Sequence, residues 1–115
     1  MKYNNKKTII DGIEFDSMKE AARYKVLQRR LAAKEIRNLR LKPSYYFQMD
    51  EKMLRIRNRK GIARTMRYEA DFAYEEKKGD AWIAVVEDVK GMATPAYKIK
   101  AALMELFHNI RVREI

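Results

Sequence analysis

The chain has 115 residues, 47% of them apolar and 10% aromatic, which suffices for one hydrophobic core and excludes a disordered chain. It lacks cysteine, which excludes disulfides and thiolate metal sites and permits a reducing, cytoplasmic setting. Its longest apolar run, "AWIAVV" at 81–86, falls far short of the ~18 residues of a membrane helix, and "MKYNNKKTII" has no signal-peptide core.

The net charge of +10 points to nucleic acid before an anionic membrane surface. Residues 23–42 hold eight basic side chains and one acid, and residues 51–67 hold seven and one. Residues 69–88 reverse this, with seven acids against Lys77 and Lys78. A passive phosphate-binding surface gains nothing from an acidic island. A metal-dependent enzyme acting on phosphate needs one, because oxygen ligands hold divalent cations.

In chain order, residues 1–8 read as a flexible basic arm, and "IIDGIEF" at 9–15 as a hairpin about Asp11-Gly12. Ser17, with Glu20 three residues on, has a capping-box pattern that starts a helix running to about Ile36. Glu20, Tyr24, Leu27 and Leu31 share one face of it. Strands are expected at about 39–49, 53–58, 64–75 and 81–90, with Pro43 marking an edge. In the third, Met66, Tyr68, Ala70, Phe72 and Tyr74 alternate with Arg67, Glu69, Asp71 and Ala73. "KKGD" at 77–80 is the turn into the fourth. There Trp82, Ala84, Val86, Asp88 and Lys90 share one face, and Ile83, Val85, Glu87 and Val89 the other. Thr94-Pro95 opens a second helix to about Phe107, with Ile99, Leu103 and Leu106 inward, and "IRVREI" closes as a short strand. The order predicts a single mixed α/β domain over 1–115.

Asp88 and Lys90, spaced i, i+2 on a strand, lie on one side roughly 7 Å apart. The aspartate can ligate a divalent cation, the Val89 carbonyl offers another oxygen, and the lysine can orient a water. The alternative is a solvated strand end with an ion pair. Asp71 and Asp88 are each about eight residues from the turn, so a hairpin brings them together. Neighbouring carboxylates repel unless a cation lies between them; the alternative is two exposed acids separated by water. Glu20 can cap its helix, or bring a carboxylate to the core face, where it needs a partner.

Arg55, Arg57, Arg59, Lys60 and Arg64 read as a track for a phosphate backbone, against a merely soluble charged hairpin. Lys98 and Lys100 are candidates for scissile-strand phosphates or solvated helix residues. His108 reads as a helix C-terminal cap. Tyr45, Tyr46 and Phe47 are assigned to core or dimer packing, with stacking on bases as the alternative.

Glu20 on a first helix, Asp71 on one strand and Asp88-x-Lys90 on the next resemble the PD-(D/E)xK nuclease constellation. More specifically, "DGIEFDSMKEAARY", "YEADFAY" and "VVEDVKGM" with "TPAYKIK" resemble a family of small phage-encoded nucleases similar to the archaeal-type Holliday-junction resolvases. Ala70 stands where that motif carries proline. The resemblance implies an α/β, restriction-endonuclease-like fold with a mixed central β-sheet flanked by α-helices. It implies a homodimer in the host-cell cytoplasm that cuts four-way DNA junctions with Mg2+, for which Mn2+ substitutes, leaving a 5′-phosphate. Asp71, Asp88 and the Val89 carbonyl would bind the metal, Glu20 would contribute through metal or water, and Lys90 would position the nucleophilic water. The competing expectations are a non-catalytic DNA-binding protein, or a nuclease of repair or transposition.

Overall fold

Asp11 and Gly12 take positive φ, 54° and 77°, and fold strand β1 (Thr8–Ile10) back onto β2 (Ile13–Phe15). An Asp-Gly pair is what such a two-residue hairpin turn needs. The computed structural model describes residues 6–89 and 93–115. Residues 1–5 of the expected basic arm lie outside them, and Thr8 already pairs with Phe15. Ser17 caps helix α1 (Met18–Ala32), its hydroxyl accepting from the Glu20 N–H at 3.1 Å. Glu20, Ala21, Tyr24 and Leu27 form the buried face.

The helix stops at Ala32, short of the expected Ile36. Lys34 turns left-handed at φ 61°, its N–H donates to the Leu31 carbonyl, and the Glu35 N–H donates to that of Arg30, both at 3.0 Å. This double closure usually carries glycine at the left-handed position. With lysine there, the sequence signals no stop, and Ile36 instead opens a strand.

That strand is β3 (Ile36–Leu41). There follow β4 (Ser44–Tyr46), β5 (Gln48–Met49), β6 (Lys52–Met53), β7 (Arg55–Arg57), β8 (Ala63–Thr65) and β9 (Arg67–Glu69). The chain continues through β10 (Phe72–Lys78), β11 (Ala81–Asp88), helix α2 (Pro95–His108) and β12 (Arg113–Glu114). The long strands expected at 39–49, 53–58 and 64–75 are thus broken into pieces. Lys42 and Asp50 take φ of 51° and 54°, Pro43 has no N–H to give, and the chain bends at Asp71. The bend also resets the alternation: Tyr68, Ala70 and Ala73 face one core, Phe72 and Tyr74 the other.

Among the described residues the strands form five separate sheets. The largest runs β12-β11-β10-β3 and is antiparallel except where β12 meets β11. The rest are two-stranded: β1-β2, β4-β9, β5-β6 and β7-β8. This overturns the expected α/β, restriction-endonuclease-like fold with a mixed central sheet flanked by helices: the strands are spread over small, mostly antiparallel sheets. Left-handed Lys42 and the following Pro43 end β3, and left-handed Asp50 turns β5 back onto β6, so these segments do not extend the largest sheet.

The β10–β11 hairpin lies between two apolar clusters. Phe72, Tyr74 and Val85 pack with Phe15, Tyr24, Leu27 and Ile36. Ala73 and Val86 pack with Phe47, Tyr68, Tyr97 and Met104. Leu103 sits against this second cluster, but Ile99 and Leu106, expected inward, are exposed. Tyr97 and Met104 hold the buried positions of α2 instead.

Glu87, fully buried, points to the α1 side. The Arg23 guanidinium grips its carboxylate at 2.9 and 2.6 Å, and the Tyr74 hydroxyl donates to it as well. Arg23→Met strands that charge and should destabilise the fold by about 3 kcal/mol in denaturant titration. Adding Glu87→Gln should recover part of the loss; a fully additive double variant would refute the coupling. Lys34→Gly relieves the left-handed strain and should stabilise by about 1 kcal/mol. A lowered denaturation midpoint would show that the turn is not strained.

Candidate active site

The β10–β11 ladder pairs Phe72 with Glu87, which brings the preceding Asp71 beside the following Asp88. The Asp71 N–H donates to the Glu87 carbonyl at 3.1 Å. One Asp71 carboxylate oxygen accepts from the Val89 N–H at 2.7 Å. Asp88 is almost wholly buried on the α2 side, and the Tyr68 hydroxyl donates to it. The Asp88 side chain is near enough to that of Asp71 to raise its pKa. The next strand-like residue, Lys90, lies outside the described residues.

Burial pushes the Asp71 carboxyl up to about 7, against the lowering effect of the Val89 N–H. The Asp88 side chain and the charge of Glu20 add to the rise. Burial and the bond to Asp88 likewise raise the Tyr68 phenol. Glu20 and Asp88 thus both act on Asp71, although Glu20 comes from α1.

Glu20 is buried, and the Lys42 ammonium lies 3.2 Å from its carboxylate and 3.1 Å from that of Asp16. The Lys42 N–H donates to the Asp71 carbonyl at 3.0 Å. Lys42 is therefore a site neighbour that pattern reading missed. It precedes a proline in an irregular turn, where no periodicity marks a side chain's direction. Alternation marks Tyr68 only as an apolar strand position, and composition marks Arg23 only as part of a basic run. Ala70 gives its N–H to the Pro43 carbonyl at 3.0 Å. Proline at position 70 would delete that bond.

The acidic island divides. Glu87 goes to Arg23, Glu76 to Arg30 and Arg113, and Glu75 to Arg37 and Asn38. The two arginines hold Glu76 down to about 2. Most of the island is thus structural ion pairing, and only Asp71 and Asp88 sit at the strand-end site. Among the described residues, no group of three or more histidine, cysteine, aspartate or glutamate side chains is placed to hold a metal. Magnesium keeps several waters and takes only one or two carboxylates, so the Asp71–Asp88 pair has the right donor chemistry for it. The rise at Asp71 comes first from burial, with the neighbouring carboxylates adding to it.

The basic candidates separate as well. Register pairs Arg55 with Thr65 and Arg57 with Ala63, so these two arginines share one ribbon face. Arg64 pairs with Ile56 on the other. Arg57 spends a guanidinium N–H on the Gly61 carbonyl at 2.7 Å, and Arg59 and Lys60 lie exposed in the connecting loop. Lys98 is exposed on α2, whereas Lys100 lines hollows beside Tyr97. His108 is the last residue of α2, and its ring bonds the Tyr46 carbonyl at 2.7 Å. Tyr45 and Phe47 pack on that ring, while Tyr46 remains exposed.

A family model described as "Protein of unknown function (DUF1064)" matches residues 1–115. The chain belongs to the DUF1064 family. No curated protein and no solved structure matches it. No helix among the described residues is long and apolar enough to cross a membrane.

For this family member the raised Asp71 carboxyl sets a pH dependence. Between the ordinary value of 3.8 and about 7, the folded chain holds a proton that the unfolded chain gives up. Stability should therefore fall as pH rises through that window and level off above it. In chelator, Asp71→Asn should flatten the slope and raise the melting temperature at pH 8. An identical slope in the variant would assign it to other groups.

Proposed function

We propose that this protein is a metal-dependent DNA endonuclease that cuts branched DNA, four-way junctions foremost. The observation that carries the reading is the Asp71–Asp88 pair at the β10–β11 strand end, Asp88 buried and Asp71 half-buried, with Asp71 held well above the carboxylate range. Structural carboxylates in this chain find arginines, as Glu75, Glu76 and Glu87 do. Two carboxylates brought side by side inside a chain of net charge +10 suit a cation presented to phosphate.

Asp71, Asp88 and the Val89 carbonyl would hold Mg2+, or Mn2+ in its place. When bound, the ion supplies a Lewis acid for the phosphate and lowers the pKa of a bound water. Lys90 would orient the attacking water, and Glu20 would steady the site while balanced by Lys42. Hydrolysis joins the water oxygen to phosphorus and breaks the bond to the 3′ oxygen, which takes a proton. The products are a 5′-phosphate and a 3′-hydroxyl. Cutting both strands of a junction asks for two such sites, hence a homodimer, working in the host-cell cytoplasm.

The test is incubation of the purified protein with a labelled four-way junction and a matched linear duplex, each with magnesium and with chelator. Paired symmetric cuts on the junction are expected, lost by at least a hundredfold in Asp71→Asn and Asp88→Asn while binding persists. Binding without cutting under any divalent metal would leave a DNA-binding protein. Equal cutting of both substrates would keep a nuclease of repair or transposition type and discard junction specificity.

A further inference from the structure

Two hollows meet between α2 and the strands β8 and β9. One, of about 280 Å³, is lined by Arg67, Tyr68, Glu69, Thr94, Tyr97 and Lys100. The other, of about 480 Å³, is lined by Tyr46, Ile56, Arg64, Met66, Arg67 and Lys100. Arg67 and Lys100 belong to both, so the hollows form one groove. Its inner end is Tyr68, whose hydroxyl bonds Asp88. Its outer end is the Ile56–Arg64 pair of the β7–β8 ribbon.

The chemistry of the groove is mixed in a particular way. Among the described residues, Arg64 and Lys100 make no ion pair, and Arg67 makes one, with Glu69 at 3.9 Å. Between these cations lie Tyr46 and Ile56, 42% and 54% exposed. A duplex presents phosphates and keeps its base faces stacked inside. An unpaired strand presents phosphates and open base faces together, and grooves that take one combine cations with aromatic platforms.

We propose that this groove binds a single DNA strand, with Arg64, Arg67 and Lys100 on its phosphates and Tyr46 and Ile56 against its bases. The strand leads from the ribbon to Tyr68 and so to Asp88. The proposal deepens the nuclease reading by naming an unpaired strand as what enters the site, and it rests on that reading only for the direction of the strand. Its binding is measured without cutting.

The experiment is fluorescence anisotropy in chelator with a short labelled oligothymidine strand, and with the same strand annealed to its complement. The wild type should bind the single strand at least tenfold more tightly than the duplex. Arg64→Ala with Lys100→Ala should weaken single-strand binding at least tenfold and lower the salt slope by about 0.7 for each lost phosphate contact. Tyr46→Ala should weaken it severalfold, whereas Lys100→Arg and Tyr46→Phe should retain it. Photocrosslinking of a bromodeoxyuridine strand to the wild-type chain needs no variant, and adducts should map to Tyr46. Duplex preference, unchanged affinity in folded variants, or adducts only elsewhere would overturn the groove. Magnesium-dependent cutting without single-strand binding would keep the nuclease and discard the groove. Lys100-dependent strand binding without any cutting would do the reverse.

Discussion

Phe72 faces Glu87 in the β10–β11 ladder, and that register decides where every carboxylate of the strand end goes. Because side chains alternate along a strand, Glu87 and Asp88 leave β11 on opposite sides. Glu87 enters the α1 side and meets Arg23 and Tyr74. Asp88 enters the α2 side and meets Tyr68. Asp71, at the bend before β10, is carried to Asp88 by the same ladder. A slip of one residue would exchange these roles and leave both buried charges with the wrong partners.

Asp71, Glu87 and Asp88 can gather at the hairpin end beside Glu20 of α1 because each is treated differently. Glu87 is neutralised by a bidentate arginine, an arrangement whose loss is costly because the group is fully buried. Glu20 is balanced by Lys42, which itself is placed by a left-handed turn before Pro43. Asp71 accepts a backbone N–H, yet burial and the neighbouring Asp88 raise its carboxyl. The same few residues thus combine a side paired to arginine with a site where two aspartates meet.

The basic surface is organised by a second register. In β7–β8 the pairing of Ile56 with Arg64 turns one arginine toward α2, and the pairing of Arg57 with Ala63 turns another away. The described chain has a radius of gyration of 16.0 Å, against about 13 Å for a compact chain of this size. Such an extended chain spreads its positive charge over more surface than a compact one, which suits a long polyanion.

Local physics determined the Asp11-Gly12 hairpin, the Ser17 and Thr94 helix starts, the turn at 77–80 and the closeness of Asp71 to Asp88. Each rests on capping chemistry, a turn residue or an alternation that acts within a few neighbours. Only the tertiary structure decided that the strands split into small separate sheets, that α1 ends at Ala32 and that α2 buries Tyr97 and Met104 in place of Ile99 and Leu106. In the first two, residues with no strong local preference, such as Lys34 and Lys42, take left-handed conformations because packing and hydrogen bonds compensate them. In the third, two faces of a helix are both apolar enough to be buried, and the sheet it meets makes the choice. Partner selection among the acids was likewise invisible, since Arg23, Lys42 and Tyr68 reach Glu87, Glu20 and Asp88 across the fold, far from them in sequence.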